Sequence, residues 1–504
     1  MHMLRKNKYE VFQEIPIWLI FTAIITILIY TFCDGINGND FWWHIKAGEW
    51  IVQNKMIPTK DIFSWYGIEQ GVPWIAHEWL AEVILYLIHR NWGDFGIFTF
   101  AVLNAFMVFV LIWFHTKKFT KQNILLSALY YVFFAVTAGA FFYGRPHVFS
   151  YILLFLSLKV LYQYYEEHKS KGIYLLPLIA IVWSNVHGGS SNLIYLLCII
   201  FLVAGICNIR IGCVTGDKFS KKWAVRLFVI SCLTVAALAV NPYGINILKY
   251  PYENMSDKLM ISLISEWQAP DAKNIGQLLL FYMPIGFLTV GFVAHNKKIR
   301  LIDLLIFFVF VFLFFRSIRF IMLWYIAAGF SSFRYLPELK VKAVEKKREV
   351  IVCVIAFVAL IITTITAFER IQKGVEENTL ITKIMSVEML EVVKKENPQR
   401  LFNDYNLGEC LIYENIPVFL DGRADVYSQC GVLADGAGLL LLQQFNDEAE
   451  NILDVDAIVR KYNFNAMLVL KNRPLYLYLQ SHPQKYEEVY EDSSTSYFRL
   501  KDMK

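Results

Sequence analysis

The 504-residue chain is 57% hydrophobic, 16% aromatic and only 18% charged, with a formal net charge of +5 and a mean hydropathy of +0.44. A soluble globular domain carries roughly 25% charged and about 45–50% apolar residues, so a wholly water-soluble protein is excluded. The small positive excess lies mainly in short loops between apolar runs, which speaks to orientation in a membrane and not to nucleic acid.

Residues 1–14 are basic and precede the apolar run Ile15–Cys33, which lacks a small-residue cleavage site. This is the pattern of a retained first span behind a cytoplasmic N-terminus. Further apolar runs follow at Phe95–His115, Ile124–Phe142, Val148–Tyr165, Ile173–His187, Leu193–Ile209, Trp223–Val240, Gly276–Ala294, Leu301–Phe315, Phe320–Leu336 and Glu349–Phe368. With roughly 17–25 residues needed per crossing, the count is about eleven spans. The segment Glu78–His89 is apolar but short.

Orientation follows from the basic loops. Arg5, Lys6 and Lys8; Lys117, Lys118 and Lys121; Lys169 and Lys171; Lys218, Lys221 and Lys222; Lys297, Lys298 and Arg300; and Lys340 through Arg348 all fall on one side only if Glu78–His89 does not cross. That segment then belongs to an outer loop, 34–94, as an interfacial or re-entrant helix. The expected organisation is a transmembrane domain over 15–368 and an extracytoplasmic domain over 369–504. The basic-loop pattern and unprocessed N-terminus fit a bacterial cytoplasmic (inner) membrane.

After Phe368 the composition becomes that of a soluble domain. A helix is expected over Glu376–Glu396, strands at Arg400–Asn403 and Pro417–Leu420 around a turn at Leu407-Gly408, and a helix over Phe445–Tyr462. Strands at Ala466–Leu470 and Tyr497–Leu500 complete a small α/β domain. The fold class is therefore a polytopic α-helical membrane protein with a C-terminal α/β domain. Of the eight cysteines, Cys410 and Cys430 share that domain and can pair in an oxidising compartment; no CxxC spacing points to a metal.

The outer loops carry the chemistry. In Gly38–Ile51 an acid, Asp40, and His44 stand four apart and share a helical face, within a band of Phe41, Trp42, Trp43, Trp50 and Ile51 suited to the headgroup region. An aromatic belt explains the tryptophans but not an acid paired with a histidine just after a span. His77 and Glu78 are adjacent, so on a helix they diverge by about 100°; they read either as base or metal ligands or as the acidic start of a helix. Arg145 and His147, Asn185 and His187 beside Gly188-Gly189, Glu266 beside Trp267, and Arg316 and Arg319 all lie at outer span ends. The arginines run against the positive-inside trend. They match phosphate bidentately, or they snorkel to headgroups. Asp421-Gly422-Arg423 reads first as a structural ion pair. No spacing specifies a metal site, and a divalent ion (Mg²⁺ or Mn²⁺) stays open. No P-loop or G-x-G-x-x-G run supports a nucleotide-sugar donor.

Several motifs together carry a resemblance. They are G-N-D-F-W-W-H-I-K-A-G-E-W from Gly38, P-x-x-D-x-F-S-W from Pro58, W-x-x-H-E-W from Trp74, and R-P-H at Arg145. W-S-N-V-H-G-G from Trp183, N-P-Y-G from Asn241 and F-L-D-G-R-A-D-V-Y from Phe419 complete the set. Over nearly the whole chain the sequence resembles a bacterial membrane family placed in the GT-C superfamily without a defined substrate. That superfamily includes the protein O-mannosyltransferases and lipid A aminoarabinose transferases. The resemblance implies an inverting glycosyltransferase that uses a polyprenyl-phosphate-linked sugar and an extracytoplasmic acceptor (glycan, lipid or protein). In it Asp40, following the first span, is similar to the acid proposed to deprotonate or orient the acceptor. A transporter or flippase of lipid-linked glycans, which needs polar groups at the bilayer midplane, and a non-catalytic scaffold of envelope glycan assembly are the competing classes.

Overall fold

The structure is a computed structural model and describes residues 40–337, 385–443 and 453–501, except 121–123, 143, 168–170, 217 and 296, with four further positions at 354, 358, 361 and 365. The expected spans Ile15–Cys33 and Glu349–Phe368, the N-terminal segment 1–14 and the basic run Lys340–Arg348 lie outside the described residues or almost wholly so. The chain divides into two compact units: Met1–Gly35, Ile97–Leu248 and Glu266–Gln372 form one, and Ile36–Gly96, Lys249–Ser265 and Lys373–Lys504 the other.

The first unit is helical. Among the described residues, four helices are long and apolar enough to cross a membrane: Trp79–Lys117, Val148–Glu167, Gly188–Ile206 and Ile275–Ala294. At 1.5 Å per residue, about 20 residues cover the roughly 30 Å hydrocarbon core. Other expected spans appear as shorter apolar helices, Leu126–Gly139, Lys171–Val186 and Ile318–Ser331. Helices Lys221–Leu238 and Leu301–Arg316 occupy two more. Glu78–His89 opens into the long Trp79–Thr120 helix, which breaks its helical geometry at Gly93 (φ 58°, ψ −153°), a conformation that only glycine adopts freely.

Inside this unit the packing is aromatic, with Trp183, Trp324, Tyr325 and Phe310 fully buried, while Phe312 and Val293 point outward. Hydroxyls within the helices donate to their own backbone one turn back, Ser157 to Leu153, Thr234 to Ile230 and Ser331 to Ala327, which satisfies them without water. A charged network ties helix ends together. Buried Asp303 accepts two 2.7 Å bonds from Arg300 and one each from Tyr335 and Tyr162, and Glu166 accepts from Arg300 and Arg334. Its charged members sit at or beside helix ends, at the side expected to be cytoplasmic, and not at helix centres. The strands β1 (Arg210–Ile211), β2 (Val214–Thr215) and β3 (Ile299–Arg300) make a minimal ribbon beside it.

The second unit joins the segment Ile36–Gly96, together with Lys249–Ser265, to the C-terminal residues. Its sheet contains β4 (Leu401–Asn403), β5 (Ala466–Leu470), β6 (Tyr486–Glu491) and β7 (Thr495–Leu500) in the order β4-β5-β7-β6, with β4 and β5 parallel and the rest antiparallel. Strand β5, Ala-Met-Leu-Val-Leu, is buried over its first four residues, as a central strand covered on both faces must be. The helix Val387–Glu396 is capped by Ser386, which accepts from the Met389 N–H, and ends on left-handed Asn397. Pro417–Leu420 is not a strand: it contributes one bridge, Val418 to Ser64 of the outer loop. Beside it the Trp65 indole donates to the Leu401 carbonyl at 3.0 Å. Cys410 and Cys430 are free thiols, so the pairing open to them in an oxidising compartment is not formed in this structure. Part of the aromatic band of the first loop is turned away from headgroups, although Trp50 is only half-buried. Phe41, Trp42 and Trp43 are buried, with Trp42 packed 4.4 Å from the Tyr413 ring.

Candidate functional site

The second unit gathers acids and histidines around the helix Phe41–Asn54. Asp40 sits at its N-cap position but caps nothing with its side chain, which leaves the carboxylate to be placed by tertiary contacts. One such contact is with Gly422. A β-carbon there would lie 2.2 Å from Asp40 Oδ1, 3.2 Å from Trp43 Nε1 and 3.3 Å from Glu409 Oε1, so a glycine is required for three polar side chains to converge. Tyr405 donates to the Gly422 carbonyl at 3.0 Å. Burial first, then the surrounding acids Asp40, Asp421 and Glu409, raise its phenol well above its ordinary value.

One turn along the helix, His44 is buried between two carboxylates, with Nδ1 3.2 Å from Glu82 and Nε2 3.7 Å from Glu78. His77 Nε2 is 3.7 Å from the other oxygen of Glu78, and its ring lies 4.4 Å from Tyr250. Tyr250 donates to Asp425 at 2.9 Å. Burial lifts the Asp425 carboxyl above the usual range, against the pull of Tyr250 and Arg423.

Arg423 is the keystone of this unit. It makes two bonds to Asp421, of 2.9 and 2.6 Å, one of 2.7 Å to Asp61, and one to the Tyr427 hydroxyl. Its guanidinium lies over the Phe63 and Trp74 rings. Asp421 and Arg423 are thus the ion pair expected from sequence, extended by Asp61 of the outer loop.

The first unit holds a second cluster. Arg145 Nη1 is 3.4 Å and Arg319 Nε 3.8 Å from opposite oxygens of Glu266, whose backbone carbonyl accepts from Ser317. Arg319 also covers the Trp267 ring at 5.4 Å. Burial raises the Glu266 carboxyl, but Arg145 and Arg319 outweigh it and hold the group below its ordinary value. The Phe141 carbonyl can only accept, so His147 Nε2–H is the donor, over 2.7 Å. Burial pulls this imidazole down to about 4, against that bond, and Arg145 and Arg319 push it the same way.

Arg316 does not join this cluster; it is exposed at the end of its helix. Asn185 donates to the Ile181 and Val240 carbonyls at 2.8 Å each. His187 Nδ1 meets Ser150 at 2.6 Å and Ser190 at 2.7 Å. Sequence reasoning missed Glu82, although Glu78 and Glu82 stand four apart on one face. It also missed Glu409, whose position carries no local signal.

No protein-family model and no curated protein matches the sequence. Among solved structures, the chain is similar to the crystal structure of the Archaeoglobus fulgidus oligosaccharyltransferase tethered with an acceptor peptide, and to its apo form. Each has a TM-score of 0.48 at 10% identity, over 90% of this chain and 69% of the other. A third is the archaeal oligosaccharyltransferase AglB from Archaeoglobus fulgidus in complex with an inhibitory peptide and a dolichol-phosphate, at TM-score 0.49 and 9% identity over the same shares.

Proposed function

We propose that the chain is a multi-pass membrane glycosyltransferase that moves a sugar from a polyprenyl-phosphate donor to an extracytoplasmic acceptor. The observation that carries this reading is the convergence of Arg145 and Arg319 on the single carboxylate of Glu266. Two guanidiniums held by one displaceable anion form a receptor for a phosphate, which offers more acceptor oxygens and more charge than the carboxylate it replaces. The acceptor hydroxyl oxygen attacks the anomeric carbon, the bond from that carbon to the phosphate oxygen breaks, and the electron pair leaves with the lipid phosphate. Arg145 and Arg319 stabilise that developing charge. Asp40 takes the hydroxyl proton, and attack from the face opposite the leaving group inverts the anomeric centre. The membrane lipids supply the lateral route for the donor.

The test is turnover of a panel of polyprenyl-phosphate sugars by purified wild type, Asp40→Asn, Arg319→Ala and Arg316→Ala, with polyprenyl-phosphate binding measured alongside. Asp40→Asn should lose turnover and keep lipid binding. Arg319→Ala should weaken lipid binding roughly tenfold or more, the size of one charge-assisted contact, while Arg316→Ala changes little. Full turnover by Asp40→Asn removes it as the base. Lipid binding indifferent to Arg319 removes the phosphate site.

A further inference from the structure

We infer that His44, Glu78 and Glu82 form a binding site for one divalent transition-type cation, Mn²⁺ or Zn²⁺, inside the second unit. Their ligating atoms, one imidazole nitrogen and two carboxylate oxygens, all lie within 4.8 Å of one another. Ligands at the usual 2.0–2.2 Å from such an ion stand roughly 3–4.4 Å apart, so small side-chain rotations close the set. All three residues are buried, His44 at 3%, Glu78 at 8% and Glu82 at 1% exposure.

A second observation points to a ligand. Glu82 Oε1 takes the hydrogen bond of His44, but Glu82 Oε2 is buried with no hydrogen-bond partner among the described residues. A carboxylate oxygen in a dry interior with no donor is short of positive charge. A neutral imidazole carries one N–H, so it donates to only one of the two carboxylates beside it. A divalent ion neutralises both acids at once. The mix of one nitrogen and two oxygens suits Mn²⁺ or Zn²⁺ better than Ca²⁺, which takes oxygen ligands.

The surroundings hold the set in place. Trp43 covers the His44 ring, centroids 3.6 Å apart, and Gly48 brings its helix against the Glu82 backbone. Cation binding here requires no glycosyl transfer.

The test is metal content and thermal midpoint, neither of which needs turnover. Wild type purified without chelator, then stripped with EDTA and titrated with MnCl₂ or ZnCl₂, should bind about one equivalent and gain thermal stability through linkage. Glu82→Gln and His44→Gln should bind at least tenfold more weakly, while the surface control Glu69→Gln binds as wild type. Should neither site variant fold, the stripped wild type decides by itself. No saturable binding and no shift with either ion overturns the site, as does equal binding by Glu82→Gln.

Discussion

Gly48 lies against Glu82 so closely that a β-carbon on it would stand 2.1 Å from the Glu82 carbonyl oxygen and 2.6 Å from its carbonyl carbon. Both obstacles are backbone, and Tyr86 Cβ at 2.8 Å closes the third direction. Nothing there can swing aside. Gly48→Ala is therefore expected to push the helix Phe41–Asn54 away from the start of Trp79–Thr120, at a cost of about 1–3 kcal/mol, the range for overpacking. The thermal midpoint of the solubilised protein measures it; an unchanged midpoint would mean that the two helices do not meet at this glycine.

Asp61→Asn should be more damaging. Arg423 and Asp61 are 1% and 0% exposed and 2.7 Å apart, so removing one charge leaves Arg423 compensated only by Asp421. Breaking a buried pair in this way costs about 3–5 kcal/mol. Limited proteolysis and chemical denaturation should both show a loosened C-terminal domain. A loss below about 1 kcal/mol would show that Asp421 and the flanking rings suffice for the guanidinium.

Much of this arrangement was legible in the chain. The apolar runs announce helices because backbone polar groups in a bilayer must be satisfied within the segment. The strands Leu401–Asn403 and Ala466–Leu470 stand out as short apolar runs, not by β-branched content, since Phe402 and Val469 are their only aromatic and β-branched residues. What stayed hidden is long-range. Phe41 and Trp42 have the composition of an interfacial belt, and only the fold shows that Tyr413, far along the sequence, covers Trp42. Likewise, Pro417–Leu420 has the look of a strand, yet its neighbour is the single residue Ser64 and not another strand. Arg145, Glu266 and Arg319 are far apart in the chain. Their chemistry makes the two arginines phosphate candidates, but that Glu266 stands between them rests on packing that no local spacing encodes.

The cluster of Arg145, His147, Glu266 and Arg319 makes stability depend on acid. An unfolded histidine titrates near 6.5, whereas folded His147 is held down to about 4. Between those values the unfolded chain takes up a proton that the folded chain refuses, so stability falls as pH drops from about 6.5 towards about 4. Glu266 acts in the same direction lower down. Its folded carboxyl is held below the ordinary value, so the stability it contributes is present above about pH 4.3 and is lost as pH falls. A pH series of thermal midpoints should flatten between 6.5 and 4 in His147→Gln, whose amide keeps a donor for the Phe141 carbonyl. An identical profile in wild type and variant would sink the assignment.

Gly422→Ala should behave in the opposite way to Gly48→Ala, because what its β-carbon meets first is the tip of a side chain. Asp40 Oδ1, at 2.2 Å, must move, while Trp43 and Glu409 at 3.2 and 3.3 Å need give only a few tenths of an ångström. Rotating one carboxylate costs the fold little, so the thermal midpoint should stay close to wild type, with a loss of about 1 kcal/mol or less. The same rotation takes the proposed base away from its aim, and a displacement of about 1 Å is enough to lower a reaction rate roughly 100-fold. Turnover of the polyprenyl-phosphate sugar and thermal unfolding, measured on the same preparation, separate the two effects. Normal turnover with the alanine in place would mean that the position of the Asp40 carboxylate is immaterial to the reaction. A stability loss as large as that of Gly48→Ala would instead make Gly422 a packing residue, and its closeness to Asp40 incidental.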